Sequence, residues 1–320
     1  MDTSTKLAIG FGISCGVLLT ILIIVIIIIV RKLKSGNILK TAILTAFKNK
    51  NECDTPGVLC EFTPDTALLP PIIGLSRGIF STSIARYGAE LTTRLREATG
   101  NMMEPENLTS ITTLGLINTV ESKNICWITQ NSDKSQTWIV FRGTHNAVEW
   151  ERDFDTVQVP FFNNGDLVHR GFNNIYESIK TQIRDILNSI QSTTLIISGH
   201  SLGAALGILL TADLIRDPLV VRPSIRTYVF APPKVGNTKF VNNVTNAIGA
   251  TIMDFYCVAN KHDIIPTLPL SVEPNFNDPE NPNLYEQFAL YTFSENWGSL
   301  LLNHSMPIYI KNIDNLNMCL

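Results

Sequence analysis

Residues 195–210 read Leu-Ile-Ile-Ser-Gly-His-Ser-Leu-Gly-Ala-Ala-Leu-Gly-Ile-Leu-Leu. The first three are a short buried strand, and the apolar run from Leu202 to Leu210 is long enough for a helix. Between them Gly199-His200-Ser201-Leu202-Gly203 fits the pattern G-x-S-x-G, a sharp strand-to-helix turn that lifts a serine hydroxyl off the edge of a sheet. Only glycines keep Cβ atoms from colliding in such a turn. Ser201 is therefore the candidate nucleophile. The five-residue pattern alone is a frequent accident, and its strand and helix give it meaning here.

On the N-terminal side, residues 125–129 and 137–141 are β-rich runs joined by the polar Asn131-Ser132-Asp133-Lys134-Ser135-Gln136, which predicts a hairpin. A helical stripe covers residues 175–190, with apolar positions at 175, 179, 183, 186, 187 and 190. Residues 81–99 read as an amphipathic helix stopped by Gly100-Asn101. Further short buried strands are expected at 227–230 and 255–258. Strands alternating with helices argue for an α/β fold with a mostly parallel sheet covered on both faces. The stretch 271–283, rich in Pro, Asn and acid, is expected to be an excursion loop with no strand of its own.

A serine hydroxyl attacks poorly unless an imidazole takes its proton and a carboxylate orients that imidazole. On this type of sheet the chain order is nucleophile, acid, base, which sets aside His145, His169 and His200. His169 opens His169-Arg170-Gly171-Phe172 at a helix start and reads as a packing or capping residue; His200 is expected to point away into packing. Asp263 follows the 255–258 strand, at a carboxyl edge where catalytic groups gather, and is the candidate acid. His262 is its immediate neighbour, and adjacent side chains diverge. His304 is the remaining histidine in the required order and the candidate base. An oxyanion needs backbone N–H donors. Leu202, after the nucleophile, supplies one, and Thr144, in the turn Phe141-Arg142-Gly143-Thr144, is the choice for the other.

Taken together, Phe141–Thr144, residues 147–154 with Trp150 and Asp153, His169–Phe172 with Tyr176, residues 198–206, Ala231-Pro232-Pro233-Lys234-Val235-Gly236 and residues 260–269 resemble the successive motifs of the class 3, fungal-type lipases. The resemblance covers roughly residues 75–310, in order, which is more specific than any one motif. It implies an α/β-hydrolase fold, carboxylic-ester substrates, Ser201, Asp263 and His304 as catalytic residues, and the Thr144 and Leu202 amides as oxyanion hole. Two departures stand out: Ala204 replaces the usual second glycine after the elbow, and the hydrophobic N-terminal segment is foreign to the secreted fungal enzymes. In residues 147–154 the side chains Ala147, Trp150 and Phe154 fall on one helical face. The resemblance makes this segment a lid over the acyl groove; an ordinary surface helix would read the same.

The chain has 320 residues, 45% apolar, with a net charge of −3. Residues 1–50 carry seven Lys/Arg against Asp2 alone, a local +6, which leaves −9 on residues 51–320. An acidic body repels phosphate backbones, so no nucleic-acid partner is expected. Residues 7–30 carry no charge and, at about 1.5 Å per helical residue, reach across a hydrocarbon core of about 30 Å. They are expected to form a single-pass transmembrane anchor rather than a cleaved leader, whose apolar core is about 7–15 residues. Arg31, Lys32, Lys34 and Lys40 follow the span and point to a cytosolic body. The domain organisation expected is an anchor at 7–30, a basic juxtamembrane segment at 31–56 and a catalytic domain at 57–320. Residues 37–47 suit a short interfacial helix lying against anionic headgroups, with a solvated spacer as the alternative.

Six cysteines show no repeated spacing, so no disulfide framework, zinc site or other metal is expected, and no cofactor. Asn-x-Ser/Thr sequons occur at Asn107, Asn243 and Asn303. The function these readings imply is a membrane-anchored serine lipase cleaving acylglycerols, with the bilayer and a lipid ester as its partners. The alternatives are a phospholipase A1-type acyl hydrolase and an inactive, membrane-tethered interaction protein.

Overall fold

The computed structural model of the chain describes residues 80–100, 111–120, 123–144, 157–162, 165–219, 223–250, 253–273 and 282–315. The elements there run α1 (Thr82–Gly100), β1 (Ile111–Ile117), β2 (Cys126–Asn131), β3 (Gln136–Phe141), β4 (Gln158–Pro160), β5 (Leu167–His169), α2 (Arg170–Asn188), β6 (Thr194–His200), α3 (Leu202–Arg216), β7 (Ser224–Phe230), α4 (Thr238–Gly249), β8 (Asp254–Asn260), β9 (Val272–Glu273), β10 (Asn283–Leu284), β11 (Leu290–Phe293), α5 (Leu300–Asn303) and α6 (Met306–Asn312).

Seven strands form one sheet in the order β1-β2-β3-β6-β7-β8-β11. β2 and β3 pair antiparallel, as the 125–141 hairpin predicts, β1 adds antiparallel to β2, and the rest pair parallel. The parallel strands are apolar on both faces because both are covered. Leu195 and Ile197 face one core with α2, α3 and α4. Ile196 faces the other, with α1 and α6. The single-residue alternation along β6 thus feeds two hydrophobic layers. α2 presents Phe172, Ile175, Tyr176, Ile179, Ile183 and Leu187 to the first layer. α3 is buried all round from Leu202 to Leu214, which explains an apolar run with no polar stripe.

The register decides where chemistry can sit. Phe141 of β3 pairs with Gly199, His200 of β6 with Phe230, and Phe230 of β7 with Val258. The carboxyl ends of these strands therefore share one edge, and residues 142–144, Ser201 and Asp263 all emerge from it.

One expectation is corrected. Residues 271–283 contain strand: Val272 pairs with Leu284 and Glu273 with Asn283. These two-residue strands are too short to carry alternation, and Glu273 is buried, accepting from the Leu270 N–H at 2.9 Å. A small hairpin of β4 and β5 likewise pairs Val159 with Val168. Residues 296–303, including α5, belong to a different compact unit from the other described residues. Within it the Trp297 N–H donates to Asn303 Oδ1 at 2.8 Å.

Among the described residues Cys126 and Cys257 are buried free thiols, no cluster of metal-binding side chains occurs, and no helix is long and apolar enough to cross a membrane. The span at 7–30, the basic segment at 31–56 and the segment 147–154 lie outside the described residues.

Candidate active site

The turn between β6 and α3 shows why its sequence reads Gly-His-Ser-Leu-Gly. Ser201 has φ 58° and ψ −121°, a backbone conformation rarely adopted by a residue bearing a side chain. Such a residue costs about 1–3 kcal/mol, which the surroundings must offset. The Ser201 N–H donates to the Phe230 carbonyl at 3.0 Å, and the Ser201 carbonyl accepts from Ala204 N–H at 2.9 Å. A Cβ on Gly199 would lie 2.2 Å from the Gly203 carbonyl oxygen, and one on Gly203 would lie 2.4 Å from that of Phe141. Both glycines are demanded by close backbone approach.

Three side chains from three separate segments meet above this edge. His304 Nε2 lies 2.8 Å from Ser201 Oγ, and His304 Nδ1 lies 2.7 Å from Asp263 Oδ2. Asp263 is buried, and its other oxygen accepts from the Ile265 N–H at 3.0 Å. The chain of hydroxyl, imidazole and carboxylate can move a proton from Ser201 to His304 while Asp263 holds the ring and balances its charge.

His262 takes no part. Its Nε2 lies 3.0 Å from Ser294 Oγ, whereas His304 holds the place beside Ser201. His169 caps α2, its Nδ1 accepting from Phe172 N–H at 3.3 Å. His200 is buried, as packing predicts, but it packs on the site itself: its ring lies 4.5 Å from that of His304.

The loop after β3 abuts the elbow. A Cβ on Gly143 would stand 3.5 Å from Ser201 Cβ, and the residue that follows it, Thr144, is buried. Arg142 is fully buried and holds this loop by donating to backbone carbonyls, from NH1 to Gly143 at 2.7 Å and from Nε and NH2 to Lys123 at 3.0 Å each. Leu202 begins α3, where the first N–H groups of a helix have no partner within it.

Two residues escape a reading of the sequence. The Tyr309 hydroxyl donates to Asp263 Oδ2 at 2.6 Å and accepts from the Asn260 N–H at 3.1 Å. Burial and the Asp263 charge hold its phenol well above the usual range, so it stays a donor. Asn260 makes a reciprocal pair with Glu295, its Nδ2 donating to the Glu295 carbonyl at 2.8 Å and its Oδ1 accepting from Glu295 N–H at 3.1 Å. Glu295 in turn binds Lys311 at 2.6 Å and also contacts Asn312, fastening α6 beside the acid.

The sequence profile of the class 3 lipases matches residues 138–273, from β3 through the elbow and acid to β9. This stretch of the chain is similar to the class 3 lipases. Its relatives include a lipase of Rhizomucor miehei, 28% identical over 148 residues, which cover 44% of this chain and 40% of the relative. A secreted mono- and diacylglycerol lipase of Malassezia globosa is 28% identical over 129 residues, 39% of this chain and 41% of the relative. A phospholipase A1-II 3 of rice (Oryza sativa subsp. indica) is 28% identical over 172 residues, covering 44% and 40%. The chain thus spans about two fifths of the length of these relatives. Among solved structures, a lipase from Rhizopus microsporus var. chinensis superposes with a TM-score of 0.51 at 18% identity, covering 70% of this chain and 84% of that one. A fungal lipase in complex with an inhibitor also gives 0.51, at 20% identity, covering 63% and 82%. These likenesses establish the α/β-hydrolase fold.

In this chain the position after the elbow is Ala204, fully buried. Its methyl group is accommodated beneath the turn where the family's glycine is expected.

Proposed function

We propose that this chain is a class 3 lipase, a membrane-anchored serine hydrolase that cleaves carboxylic esters of acylglycerols. The observation that carries the reading is the continuous hydrogen-bonded chain from Ser201 Oγ through His304 to Asp263 Oδ2. Ser201 Oγ attacks the acyl carbonyl as its proton passes to His304 Nε2. The oxyanion of the tetrahedral intermediate is met by the backbone N–H groups of Leu202 and Thr144. Collapse expels the alcohol, which leaves with the proton from His304, and water then releases the fatty acid from the acylated Ser201 by the same proton path.

The mono- and diacylglycerol lipase among the relatives supports acylglycerols as the substrate class. The rice phospholipase A1 supports a second reading, hydrolysis of phospholipid acyl esters. An inactive interaction protein is disfavoured by three intact catalytic side chains held at hydrogen-bond distance. In this proposal residues 7–30 tether the enzyme, Arg31, Lys32, Lys34 and Lys40 keep the body on the cytosolic side, and residues 147–154 cover the acyl groove with Ala147, Trp150 and Phe154 until they meet lipid. Lipidomics of membranes incubated with wild type and with Ser201→Ala tests the substrate: loss of diacylglycerol or triacylglycerol with wild type only supports it, and loss of phospholipid with appearance of lysophospholipid selects the second reading.

A further inference from the structure

Among the five histidines, His200 has a place that its sequence context does not explain. It is the last residue of β6, one position before the nucleophile, and it is buried. Its side chain runs toward the base: the ring sits 4.5 Å from the His304 ring with a tilt of 34°, and 5.9 Å from Tyr309, edge on. On its other side, a Cβ on Gly143 would be 3.2 Å from His200 Nδ1, so the oxyanion loop closes against it. Its Nε2 lies 2.9 Å from the backbone carbonyl oxygen of His304. A carbonyl only accepts, so the proton of this bond belongs to His200 Nε2. Burial, and the charge carried by a protonated His304, hold His200 well below the usual imidazole range. It therefore keeps a single proton and remains neutral while the neighbouring imidazole cycles.

We propose that His200 is a positioning residue, whose Nε2–H fixes the main chain of His304 so that its ring reaches Ser201 Oγ and Asp263 Oδ2 together. Asp263 holds the ring of the base at Nδ1, and a ring held at one atom still swings about that bond. Fixing the carbonyl of the same residue removes this freedom, and the elbow that presents Ser201 presents the donor as well. One dipeptide, His200-Ser201, thereby sets both ends of the proton path. A neutral imidazole suits this position, because lysine or arginine would place a charge beside the imidazolium formed during catalysis.

The inference rests on Ser201 being the nucleophile, so the test reads Ser201 directly and needs no knowledge of the lipid. The rate of labelling by a fluorophosphonate is measured on the full chain for wild type, His200→Phe, which keeps a stacking ring and drops the donor, and His200→Gln, which keeps a donor of similar reach. His200→Phe should label about tenfold or more slowly, and His200→Gln should stay within about threefold of wild type. On a soluble short-chain ester the His200→Phe loss should fall on kcat with KM unchanged. If His200→Phe fails to fold, His200→Met, also without a donor, is read by the same criteria. Wild-type labelling by His200→Phe, or equal losses for Phe and Gln, would overturn the inference, as would a loss confined to KM. An unlabelled wild type would sink the nucleophile assignment itself, and the inference with it.

Discussion

Tyr309 and His304 share one oxygen: Asp263 Oδ2 accepts from the phenol at 2.6 Å and lies 2.7 Å from the imidazole Nδ1. The acid is thus held by α6 as well as by its own loop, and α6 begins two residues after the base. Tyr309→Phe removes one charge-assisted donor while keeping the ring packed against Phe230 and Phe293. The expected result is a fall of roughly tenfold in kcat and a stability loss of about 1–3 kcal/mol, because the Asn260 N–H also loses its acceptor. Steady-state kinetics on a soluble ester with chemical denaturation of the same variant checks both. An unchanged kcat would mean that Asp263 needs only His304 and its backbone donor.

The elbow makes a paired prediction about glycine. Gly203→Ala places a methyl group 2.4 Å from the Phe141 carbonyl oxygen, in a site with no room to yield, and should cost about 3 kcal/mol or more. Gly249→Ala meets nothing within 4 Å at the end of α4 and should add about 0.5 kcal/mol through helix propensity. Thermal denaturation of the two variants should move in opposite directions.

Much of this site is legible in the sequence, because its constraints are local. Gly199 and Gly203 are needed within five residues of each other, and the strand and helix on either side carry plain apolar patterns. The order of nucleophile, acid and base then singles out His304. Tyr309 is invisible for the opposite reason: its partner Asp263 is 46 residues away, and nothing around the tyrosine marks the contact. The strand β11, Leu-Tyr-Thr-Phe, is too short for its alternation to speak, and it exists through its parallel pairing with β8. β1 is different: Ile-Thr-Thr-Leu-Gly-Leu-Ile is a β-rich run, with Gly115 at its bulge, that a strand expectation could have included. A local signal also marks α6, with Ser305 at the N-cap followed by Pro307 within the first turn.

The structure sharpens the test of orientation. Asn243 Nδ2 donates to Asp166 Oδ1 at 2.6 Å, and Asn303 is buried with its amide committed to Trp297 and Asn296. A glycan on either would break these bonds, so Asn107 is the sequon whose occupancy these contacts do not oppose. With a cytosolic body, Asn107 carries no glycan. Protease added to sealed microsomes digests the body, and protease added outside intact cells leaves it whole. An endoglycosidase-sensitive shift that disappears with Asn107→Gln would place the body in the lumen.

For the segment 147–154, a lid predicts a difference between substrates. Trp150→Ser in the full chain should slow hydrolysis of a bilayer-embedded long-chain ester several-fold more than that of a monomeric short-chain ester, since only opening at an interface uses the apolar face. Equal losses on both would make the segment ordinary scaffold. Neutralising Arg31, Lys32 and Lys34 should flatten the salt dependence of activity on anionic vesicles, each charge being worth about 1 kcal/mol at such a surface.

Ser201, His304 and Asp263 should act as one ester-cleaving unit. Mass spectrometry of fluorophosphonate-treated protein, together with turnover of a short-chain p-nitrophenyl ester, reads this most directly for wild type, Ser201→Ala, His304→Ala and His262→Ala. The expected result is an adduct on the peptide bearing Ser201, loss of roughly 10³-fold or more in turnover for Ser201→Ala and His304→Ala, and activity near wild type for His262→Ala. An adduct on another residue, or loss of labelling in His262→Ala with retention in His304→Ala, would contradict it.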